Sequence, residues 1–147
     1  MKHLARILFV ISFPTIAMTS PQIATGTFET RLDPQNDGSF PAGRMTIDKT
    51  YTGDLVGTGV GQMLSHRTKT KGSAGYVAIE IVTVTLDGRS GSFALQHAGL
   101  VNRGQSSLTV SIIPDSGTDD LADISGTLWI DSSKRPHAYT FTYYFAK

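Results

Sequence analysis

The sequence contains no cysteine among its 147 residues. Disulfide bonds, thiol nucleophiles and thiolate metal sites are therefore excluded. The sequence also lacks an excess of charge of either sign, because 13 lysines and arginines are balanced by 12 aspartates and glutamates. The densest basic group is Arg67, Lys69 and Lys71, in a polar stretch that resembles a solvated loop. Since nucleic-acid binding needs a basic surface, the composition gives no indication of nucleic acid as a partner.

Long hydrophobic runs are also missing. The mainly apolar segment 7–17 follows a basic start and is too short for a stop-transfer helix, so we expect no stable membrane span. Small residues ending at Ala17 fit a signal-peptidase site. We therefore predict that residues 1–17 are a signal peptide and that the protein is exported. The alternative is a true start at Met18 and a cytoplasmic protein.

Familiar catalytic and metal-binding patterns are absent from the sequence. His66, His97 and His137 are dispersed, without the close spacing that metal-binding histidines usually show. No G-x-S-x-G motif offers a nucleophilic serine. We accordingly predict no metal and no cofactor, and covalent catalysis has little support.

What the sequence has in abundance is β-strand pattern. From residue 23 onward the apolar residues recur with a period of two, and no segment sustains a helical period. The predicted strands are 23–31, 44–51, 54–65, 76–86, 90–101, 106–114, 127–131 and 137–146. Eight short strands separated by turn signals predict one all-β domain over 23–146, an antiparallel eight-stranded β-barrel, with a β-sandwich as the alternative.

Three glycines, Gly57, Gly59 and Gly61, recur at period two and share one face of the third strand. Such a face either lets another part of the chain approach closely or leaves a hollow. We expect these glycines to serve strand coiling, with a contribution to a ligand site as the alternative. They do not form a phosphate-binding loop, because they lie inside a strand pattern instead of before a helix.

The dipeptide Asp87-Gly88 is a strong hairpin signal, because both central residues of a type I′ turn need positive φ. The turn fixes the register of its two strands. It sets Leu86 opposite Arg89, Val84 opposite Gly91, Val82 opposite Phe93, Glu80 opposite Leu95, and Ala78 opposite His97. Residues that lie opposite one another share a face, so Glu80 and His97 become diagonal neighbours within hydrogen-bonding reach.

The face that carries Phe93 and Leu95 is predicted to be the barrel interior, which places Glu80 and His97 in an apolar lumen. Burial raises a carboxylate pKa and a nearby imidazolium lowers it, an opposition that general acid–base sites use. Three roles follow for Glu80 and His97. They satisfy each other and fix the register, they contact a ligand in the lumen, or they are catalytic.

The last strand alternates aromatic residues with small ones. Tyr139, Phe141 and Tyr143 share one face, which is typical of a core. Two tyrosine hydroxyls in an apolar lumen would also suit a pocket for a lipid-like or aromatic ligand. Trp129, on the neighbouring short strand, is expected to close one end of that pocket.

The opposite face of the hairpin is unusually apolar for a surface in water. It comprises Val77, Ile79, Ile81, Thr83, Ser92, Ala94 and Gln96. Either another protomer covers this face or the assignment of inside and outside is reversed. We expect a homo-oligomer.

Several segments together resemble one bacterial family. They are ATGTFE (24–29), YTGDLVGTGVGQML (51–64), KGSAGYVAIE (71–80), DGRSGSFALQHAG (87–99) and IPDSGTDDLADISG (113–126). The resemblance is to domain-of-unknown-function family 3224, which is grouped with the allene oxide cyclase-like barrels. It implies a small antiparallel barrel and no established activity, substrate or catalytic residues.

The sequence departs from the family in the last of these segments. Asp119 or Asp120, and Asp123, stand where the family usually has glycines. Aspartate tolerates left-handed backbone better than most residues, so we expect the turn to be kept. The added negative charge could alternatively attract a cation, although carboxylates on an exposed turn are ordinarily solvated.

The leading functional hypothesis is a barrel that binds an apolar or amphipathic small molecule in its lumen. The first alternative is a cofactor-independent isomerase or cyclase that acts on a lipid-like substrate, which rests on analogy of fold. The second alternative is a structural oligomer with a filled core and no ligand.

Overall fold

The protein forms a closed antiparallel barrel in which each strand pairs with the next and the last pairs with the first. The computed structural model describes residues 19–36, 38 and 40–146, so the expected signal peptide and Met18 lie outside it. Its strands are β1 (Gln22–Gln35), β2 (Gly43–Gly53), β3 (Leu55–Arg67), β4 (Ala74–Leu86), β5 (Arg89–Asn102), β6 (Gln105–Ile112), β7 (Ile124–Asp131) and β8 (His137–Phe145). The predicted eight-stranded β-barrel is confirmed, and the β-sandwich alternative was wrong.

Two strands extend three residues or more beyond a predicted bound, because pairing continues through residues whose sequence is typical of turns. β1 runs on to Gln35, since its later residues pair with β2 as far as Arg44. β7 begins at Ile124, which pairs with Phe145 of β8. Antiparallel pairing satisfies the backbone groups of these residues and overrides their weak strand propensity.

The β4–β5 hairpin has the predicted register. Asp87 and Gly88 both have positive φ, 49° and 74°. Glu80 lies opposite Leu95, and Ala78 lies opposite His97. The predicted interior face is indeed buried, with Val82, Phe93 and Leu95 at most 1% exposed.

The lumen has two ends of different character. The end we call the closed end is filled by packed apolar side chains, namely Leu55, Leu86, Phe93, Leu121, Ile124, Phe141, Tyr143 and Phe145. Leu121 belongs to a single 3-10 turn, Asp119–Leu121, and is fully buried. Asp119 takes a left-handed conformation with φ 52°, as expected for an aspartate in a glycine position.

The outer surface of β3 and β4 is apolar. Its exposed aliphatic side chains are Val56, Val60, Leu64, Val77, Ile79 and Ile81. Inside and outside are therefore as predicted for the hairpin. Its outer face is apolar and exposed on β4, whereas Ala94 on β5 is buried and bonds with Ile113 and Ser116. Within the described residues, no helix has the length and hydropathy needed to cross a membrane.

Candidate functional site

A buried carboxylate organises the middle of the lumen. Glu80 is completely buried, and both of its oxygens accept hydrogen bonds. Oε2 accepts from Lys49 Nζ at 2.6 Å and lies 2.9 Å from His97 Nε2. Oε1 accepts from the Tyr51 hydroxyl at 2.8 Å. Lys49 and His97 are themselves only 8% and 4% exposed, so the structure buries an ion pair with two further polar partners.

These side chains come from three strands that are not all neighbours. Lys49 and Tyr51 lie on β2, Glu80 on β4 and His97 on β5. β3 separates β2 from β4, and Glu80 reaches across it over Gly59. A Cβ at Gly59 would overlap Glu80 Oε1 and lie 3.1 Å from the Tyr51 ring. The absence of a side chain at Gly59 therefore makes room for the carboxylate.

Glu80 is held in its ionised form. Burial by itself would raise the pKa of this carboxyl, but the hydrogen bond from His97 and the charge of Lys49 outweigh it and lower the pKa below the ordinary value. Burial and the neighbouring Glu80 charge raise the pKa of Tyr51 well above its ordinary value. Tyr51 is thus a neutral donor, and Glu80 is an anchoring carboxylate that does not act as a proton donor near neutral pH.

The ionised carboxylate also fixes the form of His97. A carboxylate only accepts hydrogen bonds, so His97 Nε2 carries the proton and donates it to Glu80. Within the described residues Nδ1 has no hydrogen-bond partner. His97 also lines a cavity in the lumen. Lys49 Nζ lies 4.6 Å from the centre of the Phe28 ring, a cation–π distance.

The end of the lumen opposite the closed end holds a cavity of about 320 Å³, and we call it the open end. Lys49 and His97 lie in its wall, together with Phe28, Thr30, Leu32, Ile47, Met63, Tyr76, Ala78, Leu108, Ile130, Ser132 and His137. Glu80 is not part of this wall. It supports Lys49 and His97 from one layer deeper, and the cavity itself is mainly apolar with two polar groups at its inner side.

The sequence matches one family over most of its length. The model of a family of proteins of unknown function, DUF3224, matches residues 24–143. The chain belongs to the DUF3224 family. A solved DUF3224 protein of unknown function from Shewanella oneidensis MR-1 is 42% identical, with a TM-score of 0.79. The match covers 86% of this chain and 98% of that chain. No curated protein matches the sequence.

Of the site residues predicted for this DUF3224 barrel, Glu80 and His97 are brought together as expected. Phe93 and Phe141 instead belong to the packed closed end, and Leu95 is fully buried in the core opposite Glu80. Phe93 and Phe141 stack with ring centroids 5.7 Å apart, and none of the three lines the open-end cavity.

Two predicted tyrosines and the tryptophan lie elsewhere than expected. The Tyr139 hydroxyl is used by the backbone, since it accepts from the Leu55 amide and donates to the Thr52 carbonyl. Tyr143 stacks on Phe141 in the closed end. Trp129 is 62% exposed because it pairs with Thr140 on the outer face of β8. The expectation that Trp129 closes the pocket is therefore corrected.

Two residues of the site, Lys49 and Tyr51, were not predicted from the sequence. The available signal was a lysine on the same face of its strand as Met45 and Ile47. A charge within an apolar stripe is expensive to bury without a partner. The alternation of β2 therefore indicates that Lys49 has an acidic partner in the lumen. Glu80 is that partner. No cluster of three or more metal-ligating side chains occurs within the described residues.

Proposed function

We propose that this barrel binds an amphipathic small molecule in the open-end cavity. The observation that carries the proposal is a cavity of about 320 Å³ with apolar walls and two anchored polar groups, Lys49 and His97, at its inner side. Ligand sites are concave and mostly apolar, with a few placed polar groups that set orientation, and typically range from about 300 to 1,000 Å³. The cavity is at the lower end of that range, so its ligand is small.

The rigidity of the polar groups supports the same proposal. Lys49 and His97 both contact Oε2 of a fully buried carboxylate, and these hydrogen bonds favour one position of each side chain. A pre-organised contact loses less entropy when a ligand binds. If the groups served only stability, a hydrophobic replacement of similar size would be the simpler solution.

Titration of the labelled protein with octanoate and with 1-octanol, followed by amide NMR shifts, tests the proposal. We expect shifts at cavity residues such as Ala78 and His97. Leu32 is a half-exposed residue of the cavity wall, so Leu32→Trp narrows the cavity and should suppress these amide shifts. Leu100→Trp, on the exposed outer face, is the matched control and should leave the shifts unchanged. If neither probe shifts the cavity residues, the proposal fails.

A cofactor-independent isomerase or cyclase is the second candidate. It rests on the expected relation to the allene oxide cyclase-like barrels, which is an analogy of fold. The favouring observation is that His97 lines the cavity and has no hydrogen-bond partner at Nδ1 within the described residues, while Nε2–H donates to an ionised Glu80. A carboxylate-oriented imidazole is an arrangement that general bases use.

The Glu80→Gln variant separates the two candidates, because it keeps the shape of the side chain and removes its charge. Turnover that disappears while binding of the same lipid-like compound persists supports catalysis. Binding by the wild-type protein with no turnover leaves the binding function alone.

The apolar outer face supports the expected homo-oligomer. Six aliphatic side chains on β3 and β4 are about half exposed, and the net charge of +1 gives little repulsion between copies. We propose that a second copy covers this face. Light scattering should report a mass above that of one chain, and Val77→Lys together with Ile81→Lys should return it to a monomer. A wild-type monomer would exclude the interface.

A further inference from the structure

We infer that the ligand of the open-end cavity carries a small anionic head group, of which a carboxylate is the simplest. The inference rests on the proposed binding function and names the chemical class of the ligand.

The cavity wall carries basic side chains and no acidic ones. Lys49, His97 and His137 line the cavity, and no aspartate or glutamate does. The carboxylate that neutralises Lys49 lies behind the wall, fully buried. Both oxygens of Glu80 are already used, one by Tyr51 and the other by Lys49 and His97. A ligand in the cavity therefore meets the Lys49 ammonium and the His97 and His137 imidazoles, and no carboxylate.

The two inner groups also converge. Lys49 Nζ and His97 Nε2 both contact the same oxygen of Glu80, so the two side chains lie side by side. An ammonium group has three hydrogens, and the structure gives Lys49 two acceptors, Glu80 at 2.6 Å and the Tyr51 hydroxyl at 3.4 Å. Within the described residues, the third hydrogen of Lys49 and Nδ1 of His97 have no hydrogen-bond partner, although the Lys49 ammonium lies 4.6 Å from the centre of the Phe28 ring.

An anionic group has two favourable contacts in this position. It can accept from the third Lys49 hydrogen, and it can pair with His97 when the imidazole carries a second proton at Nδ1. Charge-assisted hydrogen bonds of this kind are about twice as strong as neutral ones. A cationic head group would instead face the Lys49 ammonium across an apolar cavity. The Phe28, Ile47 and Tyr76 side chains leave the rest of the cavity to an apolar tail.

Three probes with the same tail test the inference, namely octanoate, 1-octanol and octylamine. We expect calorimetry to show octanoate binding at least about tenfold more tightly than either of the others. If 1-octanol or octylamine binds equally well or better, the anionic class is wrong while the binding function stands. If none of the three binds, both fail.

Variants then locate the head group. Lys49→Met combined with Glu80→Gln removes the cation without leaving a buried charge, and His97→Gln removes the imidazole while keeping a donor toward Glu80. Each should weaken octanoate about tenfold and leave 1-octanol within about twofold. Lys69→Met, in the exposed β3–β4 loop, is the control for net charge. Unchanged octanoate affinity in His97→Gln, which keeps the buried ion pair, would overturn the assignment even if the double variant does not fold.

Discussion

The closed and open ends of the lumen are built by the same eight strands and differ in what those strands carry inward. At the closed end, rings stack at centroid distances of 5.7 Å and 5.3 Å, and Leu121 seals the end. At the open end, a buried ion pair stands beside an unfilled cavity. The alternation of a barrel strand is the same at both ends. The difference lies in side-chain volume and charge, which separates a fully packed half from a half with an unfilled cavity.

The glycines of β3 contribute to this division. Gly61 faces Glu80 directly, and a Cβ there would lie 2.9 Å from the Glu80 Cα. Gly59 gives its space to the carboxylate itself. The two glycines thus allow close approach of the Glu80 backbone and side chain, and they make the room in which a charged group is buried with its partners.

The largest effect is expected from Glu80→Ala. The substitution leaves Lys49 buried without its counter-ion, which costs about 3–5 kcal/mol in the free energy of unfolding. Urea denaturation measures it. Lys49→Met combined with Glu80→Gln removes both charges and should recover most of the loss. A double variant no more stable than Glu80→Ala would show that the ion pair is not the cause.

Next, the two ends should respond differently to loss of a ring. Phe141→Ala empties a fully packed position and should cost about 3–4 kcal/mol. Phe28→Ala should cost less, about 2–3 kcal/mol, because the Phe28 ring already has a cavity on one side. Equal losses in thermal or urea unfolding would contradict the contrast between the ends.

A smaller effect is expected from Gly59→Ala, which adds a methyl group where Glu80 Oε1 lies. The carboxylate must shift, and overpacking of this kind costs about 1–3 kcal/mol. Binding of an octanoate probe should weaken as well, since Lys49 and His97 follow Glu80. Gly43→Ala, where a Cβ has its nearest neighbour at 3.7 Å, is the matched control.

The smallest effect concerns pH. Because the folded pKa of Glu80 is lowered, its contribution is complete above the ordinary glutamate pKa of 4.5 and is lost as pH falls through the folded pKa. One proton accounts for at most about 1.4 kcal/mol per pH unit. As pH falls below 4.5, the wild type should therefore lose more of its free energy of unfolding than the Lys49→Met, Glu80→Gln variant does. A difference independent of pH would contradict an ionised Glu80.

The hairpin shows how far local pattern reaches. The Asp87-Gly88 turn determines the β4–β5 register, and the register places His97 beside Glu80. Trp129 shows the limit, because its five-residue predicted strand gave too little alternation to assign a face. Its pairing with Thr140 decides that it points outward.

By itself the sequence determined the all-β class, the number of strands, the hairpin register and the Glu80–His97 pair, because each follows from a period of two or from a turn a few residues away. Only the tertiary structure brought Lys49 and Tyr51 to Glu80, across a strand and 31 and 29 residues along the chain. That contact depends on closure of the barrel and on the space at Gly59. The open cavity also depends on the tertiary structure, since it is the volume that side chains from all eight strands together leave unfilled.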